Sequence, residues 1–465
     1  MKSKAQVVLA ALSLAAATGY GANIVMQGSE AQTSFDITNP ASWGVEAISA
    51  EDYATITTNG DIPTEAYIGS DQTFSPATLS LQNNAHLVAR GSGSAITNNS
   101  SINNNVDFGS NDGSNVLVEI LGSGNTYAID ATNRSFMMGA FNSTYGSNKI
   151  YVSSSSSSNR NYFSISGVNI FVKLNSSAGS TASNTISIGD NSDSEFTGNI
   201  SIGGSETSAA AGGSVTFEMI GTNSTMRFLR DSNVGNSNSG GTQSGGSSKI
   251  LISGSGNTFN SVGTTVWMNK TMTGGSNSFE ISGKNNTVTW QNIQVGSASS
   301  TGGSTKISVE GSTHSIRATD QLGVYGSELT DSDGNVTAVN GGSVEFIADE
   351  GGFSSISVGR VVAFDGILSI DFSNIDASEG DYLEFALITA NSDWSNIADK
   401  LISTSSDSEN AHLNVITKNE EDTWELIYNG TSLYVAYTCV PEPSSFAAVF
   451  ALGALVVAFA RRRGK

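Results

Sequence analysis

"SNVLVEILGSGNTY" (114–127) and "SKILISGSGNTF" (248–259) are two versions of one pattern, and its reading decides the fold. Apolar residues alternate with polar ones (Val116, Val118 and Ile120; Ile250 and Ile252), a glycine turn follows, and alternation resumes. Period two means a β-strand with one face buried and one face wet. Related stretches are "SVTFEMIGTNSTMRF" (214–228), "SFEISGKNNTV" (278–288) and "STKISVEGSTHSI" (304–316), with shorter relatives "FSISG" (163–167) and "TISIG" (185–189). Gly221, Gly254, Gly283 and Gly311 mark the turn at spacings of 33, 29 and 28 residues. No unit of that length can bury its strip of Val, Ile and Phe alone, whereas stacked neighbours can. The expected fold is all-β: a right-handed parallel β-helix of irregular 28–33-residue coils over 111–358.

Aligning the turn glycines places Asn125, Asn257 and Asn286 in one slot, each followed by Thr, with His314 in the same slot of the next copy. Asn tolerates left-handed turns, and stacked amides can hydrogen-bond from coil to coil. On either side of the repeats the texture changes. Residues 23–110 read as an N-terminal cap, strongest over 23–65, followed by the first coils. Residues 359–438 carry fuller alternation and more charge and read as a closing β module, with "KNEED" (418–422) and "YNGTS" (428–432) as hairpin turns.

Composition supports this and excludes other classes. Of 465 residues only 14% are charged and 38% hydrophobic, while 51 are glycine and 5 proline, which suits a turn-rich β chain rather than a proline-rich linker. The net charge is −21; without the six basic residues of the two ends, 15 basic residues stand against 42 acidic ones. Such a surface repels phosphate backbones, so nucleic acid is not an expected partner. A lone cysteine, Cys439, allows no internal disulfide.

The two ends carry the address. "MKSKAQVVLAALSLAAATGYGANIV" (1–25) has a basic start, an apolar stretch from Val7 to Ala17 and small residues to Ala22, the layout of a secretory signal over 1–22. Cleavage is expected between Ala17 and Ala22; Tyr20 fits poorly at the −3 position of a cut after Ala22. "CVPEPSSFAAVFALGALVVAFARRRGK" (439–465) ends with an apolar run, Phe446–Ala460, then Arg461, Arg462 and Arg463. That run spans about 22 Å as a helix, short of the ~30 Å hydrocarbon core; flanking serines and snorkelling arginines can make up the difference. Arginines after a helix hold that end in the cytoplasm. A single C-terminal transmembrane helix is therefore expected.

Pro441-Glu442-Pro443, then a short apolar helix, then an arginine cluster resembles the PEP-CTERM sorting signal of Gram-negative-type bacteria. The resemblance is confined to 440–465. It implies recognition and cutting at the Pro-Glu-Pro region by an exosortase, a membrane cysteine transpeptidase, with Glu442 as a substrate residue and Arg461–Arg463 as the flank of the anchor. It also implies an exopolysaccharide-rich envelope and makes O-glycans on tracts such as "YVSSSSSSNR" (151–160) reasonable. The prolines keep the helix from running back through the motif and leave it extended. Cys439 beside it would be a free thiol at the membrane face that could pair between chains or carry lipid, although a lone cysteine is more often incidental.

Chemistry is sparse. His86, His314 and His412 are far apart, and no His/Cys/Asp group has zinc spacing, so no cofactor is expected. Acidic clusters occur in "DNSDSEF" (Asp190, Asp193, Glu195) and "DSDGN" (Asp331, Asp333, Asn335). The second is a fragment of a calcium loop without its distant bidentate glutamate, a weak metal candidate. β-Helices also host polysaccharide lyases and hydrolases, which need carboxylates converging in a groove; Trp267 and Trp290 offer rings for sugar stacking or are ordinary strand residues. The leading expectation is a non-catalytic exported envelope or matrix protein. Its alternatives are an extracellular polysaccharide-active enzyme and an adhesin or carbohydrate-binding surface protein.

Overall fold

The computed structural model describes residues 22–27, 34–57, 64–99, 106–109, 113–139, 146–172, 181–203, 213–235, 246–268, 273–296, 302–405 and 410–440. The signal segment before Ala22, the Pro441–Pro443 motif, the expected helix 446–460 and Arg461–Arg463 lie outside them. Among the described residues no helix is long and apolar enough to cross a membrane. Strands are their dominant structure; a 3-10 turn at Pro40–Trp43 and one helical turn at Ser395–Ala398 are the helical pieces among them.

The strands form two long sheets whose neighbours are, with few exceptions, parallel. Each coil places one strand in sheet I, turns at the glycine, and places a second, usually longer, strand in sheet II. In sheet I, Leu117–Ile120, Ser147–Val152, Ser183–Ile188, Ser214–Met219, Ser247–Ile252 and Thr273–Ile281 lie side by side in chain order. Their register stacks Val118, Ile150, Ile186, Phe217, Ile250, Phe279 and Ile307 directly over one another, each at most 1% exposed. Ile252 and Ile281 are buried likewise, so the alternation read from the sequence has the right phase.

Sheet II strands carry a register shift near their middle, at Ala131/Ser135, Ser166/Asn169, Ser261/Thr265, Trp290/Asn292 and Ala318/Gln321. A shift of this kind bends a strand, which splits sheet II into two segments that wrap the same interior. Inside, an aromatic file runs from Tyr127 through Phe163, Phe196, Phe228, Phe259 and Phe279 to Trp290, with successive centroids 5.1–6.0 Å apart. Edge-to-face contact at that distance adds to burial of the rings.

The turn glycines are required by the stacking itself. A Cβ on Gly254 would sit 1.7 Å from the Gly221 carbonyl oxygen, and one on Gly283 would sit 2.1 Å from that of Gly254. Coil touches coil here backbone to backbone, which explains why glycine recurs at the coil length.

Parallel pairing also runs outside 111–358. Asn23–Gln27 lies beside Tyr53–Thr57 and Ser34–Asp36 beside Thr64–Ile68, so these strands of the expected cap are themselves part of the stack. At the other end Ile367–Asp371 and Leu413–Ile416 continue sheet I. Tyr382–Ala390 then pairs antiparallel with Ser432–Thr438, which also pairs with Thr423–Tyr428. "YNGTS" is thus a hairpin turn. "KNEED" is not: the strands it joins belong to different sheets, because Leu413–Ile416 pairs with Ile367–Asp371 instead. A further hairpin, Gly326–Thr330 with the first half of Val336–Ile347, projects between two coils.

Candidate functional site

The Asn slot is the most ordered polar feature of the interior. Asn125, Asn257 and Asn286 are fully buried. Each side-chain oxygen accepts the main-chain N–H of the equivalent residue one coil earlier: Ser94 to Asn125, Ser224 to Asn257 and Asn257 to Asn286, all at 2.9 Å. Asn161 receives Asn125 in the same way at 2.9 Å, and the Ser224 hydroxyl receives Ser192 at 3.0 Å. His314 Nδ1 accepts from Asn286 N–H at 3.3 Å, and His314 N–H donates to the Ser354 hydroxyl at 2.9 Å. The result is a polar spine one residue wide in two hydrogen-bonded runs, Ser94 to Asn161 and Ser192 to Ser354.

The spine corrects two details of the sequence reading. The amides bond to backbone, not to each other. The left-handed residue is the one before the slot: Gly93, Gly124, Asn191, Asn223, Gly256 and Asn285 have φ between 47° and 72°. Sequence reasoning missed Ser94, Asn161, Ser192, Ser224 and Ser354 as members. Glycine or asparagine immediately before serine ("GS" at 93–94, "NS" at 191–192 and 223–224) was the signal available.

His314 occupies this slot as a structural residue. Its Nδ1 accepts, so the proton sits on Nε2, which donates to the Glu310 carbonyl at 2.8 Å. Asn286 makes the equivalent i−4 bond to Ser282 at 2.7 Å. Burial holds the imidazole below its ordinary pKa, although the Glu310 carbonyl and the Asp349 and Glu310 charges oppose this. The unfolded chain therefore takes up a proton first as pH falls. The stability contributed by the neutral ring is complete above about pH 6.5 and is lost as pH drops through the folded value. His314→Asn is expected to keep the fold at pH 8, because Asn257 and Asn286 fill equivalent slots, and to remove this component of acid sensitivity. Urea unfolding at pH 8 and pH 5 measures both; an unchanged pH dependence would show that the ring is not the titrating group.

The other candidates separate. His86 Nε2 lies 2.8 Å from Glu119 and its Nδ1 3.8 Å from Glu65, on the outer face of sheet I. His412 contacts the Gly366 carbonyl at 3.0 Å and Glu328 at 3.2 Å, and Glu328 also meets Lys400 at 3.4 Å. The 2.7 Å contact with Asp365 raises the Lys400 pKa. No two histidines share a partner among the described residues. Asp190 turns to Thr222, accepting from its N–H and hydroxyl at 2.8 Å. Asp193 is held bidentately by Arg160 at 2.8 and 2.9 Å, and Glu195 is 3.9 Å from Arg227. The acidic cluster of the sequence is therefore dispersed, and its outward carboxylates are neutralised by arginines about one coil away.

Asp331 and Asn335 form the tip of the projecting hairpin. Asp331 Oδ1 accepts from the N–H groups of Asp333 and Asn335 at 2.9 Å, and Oδ2 from the Asn335 amide at 3.1 Å. The bonds from Asn335 hold this carboxyl below its ordinary pKa. Both oxygens already serve the turn. Among the described residues no three His, Cys, Asp or Glu side chains converge as metal ligands. Trp290 is fully buried in the aromatic file and unavailable to a ligand; Trp267 lies between buried Val266 and Met268, on the outward register.

Cys439 is 2% exposed, and burial followed by the nearby Asp422 raises its thiol pKa. Such burial favours the incidental reading of this lone cysteine over pairing between chains or lipidation. Asp422 also accepts the N–H of Val440 at 2.9 Å and the hydroxyl of Tyr437. The residue just before Pro441 is thus tied to the folded body. No family model matches the chain, and neither a curated protein nor a solved structure is significantly similar to it.

Proposed function

We propose that the chain is a non-catalytic exported protein of the cell envelope or extracellular matrix. In this reading a right-handed β-solenoid is delivered by the N-terminal signal and held by a single C-terminal helix. An exosortase-type enzyme then processes it at Pro441-Glu442-Pro443. The observation carrying the reading is the uninterrupted stack: thirteen sheet I strands in series among the described residues, a rod roughly 60 Å long at about 4.8 Å per strand. Its interior is filled by apolar files and the polar spine, and seven of its outward lysines and arginines pair with carboxylates, leaving the surface acidic overall. Such a body suits display or spacing at a surface. The right hand follows from the strong chiral preference of parallel crossovers. The anchored Val440 supports presentation of the motif next to a fixed body, with at most about 20 Å of extended chain between it and Phe446.

The test is the intact mass of protein extracted from the surface of its native host. The expected mature chain begins between Thr18 and Asn23 and ends near 441–444, lacking Phe446–Lys465. Recovery of a chain ending in Lys465 would remove the processing step from this reading.

A further inference from the structure

The two outer faces of the stack differ in how their polar side chains are satisfied. On sheet I, Lys249 pairs with Glu280 and Lys306 with Glu345, each at 2.8 Å, and Ser308 donates to Glu345 at 2.8 Å. On the first segment of sheet II the same coils carry two outward rows. One row is Thr225, Thr258, Thr287 and Ser315; the other is Arg227, Asn260, Thr289 and Arg317. Between them Met226, Phe259, Val288 and Ile316 point inward and are buried. Apart from the 3.9 Å pair of Arg227 with Glu195, none of the eight side chains has a hydrogen-bond or ion-pair partner among the described residues.

We propose that this face is a binding track for a linear neutral polysaccharide lying along the stacking axis. The proposal rests on the surface-protein reading above and names its ligand class. The rows lie about 6.7 Å apart along the strands, and successive coils are about 4.8 Å apart. Hydrogen-bonding groups therefore repeat on a flat two-dimensional grid. An extended pyranose chain advances by a similar distance per sugar and presents hydroxyls along both edges. Thr and Ser hydroxyls and the Asn260 amide can both donate to and accept from such hydroxyls, while the guanidinium forks of Arg227 and Arg317 donate to adjacent oxygen pairs.

The charge balance selects a neutral polymer. The chain carries −21 overall, so a polyanion would be repelled on approach. A protein partner would call for an aromatic or large apolar anchor, and the eight positions supply none.

The test is affinity electrophoresis of the detergent-solubilised full chain through gels containing hydroxyethylcellulose, galactomannan or polygalacturonate. Retardation is expected in at least one of the two neutral polymers. Asn260→Ala combined with Arg317→Ala should weaken that binding at least tenfold, while Lys249→Ala combined with Lys306→Ala on sheet I should leave it unchanged. The proposal is overturned by no retardation in either neutral polymer, by retardation in polygalacturonate alone, or by equal retardation of the track double variant. None of these results touches the processing reading, which is decided by the mass of the mature chain.

Discussion

Ile281→Asp is expected to destabilise the stack more than any outward substitution in the same coil. Ile281 is 1% exposed and pairs in register with Ile252 on one side and Val309 on the other, both buried. Removing its side chain forfeits roughly 1.5–3 kcal/mol of burial. An aspartate at that position also either ionises without a partner or takes up a proton, and an uncompensated buried charge alone costs roughly 3–5 kcal/mol. In a stack, each coil is stabilised by its neighbours, so losing one interface weakens the coils on both sides. Ser282→Asp, one residue on at a half-buried turn, lacks the apolar loss. Thermal unfolding followed by circular dichroism should separate the two variants clearly. Equal melting temperatures would mean that the strand is one residue out of register.

Much of this architecture could be read from the chain because it depends on a local period. The alternation of Ile250 and Ile252, and of Phe279 and Ile281, sets which face is buried, and the glycine spacing sets the coil length. The Asn slot was readable for the same reason: three copies repeat the residue at the same distance from the turn. Its serine members were hidden because a hydroxyl fills the same acceptor role with a different side chain. The Arg160–Asp193 and Arg227–Glu195 pairs were hidden because their partners lie 33 and 32 residues apart, a distance fixed only once the coils are aligned. "KNEED" looked like a hairpin turn because turn chemistry specifies a reversal and not which strands pair across it. The burial of Cys439 was similarly illegible. It depends on packing against the Asp422 and Asn419 region of the closing hairpin, not on the motif that follows.

The polar groups of the molecule thus fall into two populations. Inside, every spine side chain has a fixed partner, because an unmet buried N–H is costly and water cannot reach it. Outside, Lys249 and Lys306 on sheet I meet Glu280 and Glu345, while the sheet II track, apart from Arg227, leaves its groups to solvent. Substitutions at polar positions should therefore report very different things. In the spine they report stability; on the track they report binding.

Asn257→Ala is the spine substitution with a large expected loss of stability, and it tests the spine directly. Asn257 is fully buried; its Oδ1 accepts Ser224 N–H at 2.9 Å and its Nδ2 donates to the Gly221 carbonyl at 2.9 Å. Alanine leaves the Ser224 N–H without an acceptor, a desolvation cost of about 1–3 kcal/mol. The Gly221 carbonyl suffers less, since it also accepts from Ser255 N–H at 3.1 Å. Because the vacated volume lies at a backbone-to-backbone contact, the coils cannot close over it, and the expected total is about 2–4 kcal/mol. Asn257→Ser should recover part of this, since the hydroxyls of Ser224 and Ser354 already accept in equivalent slots at 3.0 and 2.9 Å. Asn260→Ala, three residues away on the track, should stay within about 0.5 kcal/mol of the parent. Urea unfolding of the three variants would measure the ordering Asn260→Ala, then Asn257→Ser, then Asn257→Ala. If Asn257→Ala unfolded with Asn260→Ala, the spine would contribute nothing to holding coil to coil. The apolar files would then have to account for the whole stability of the stack.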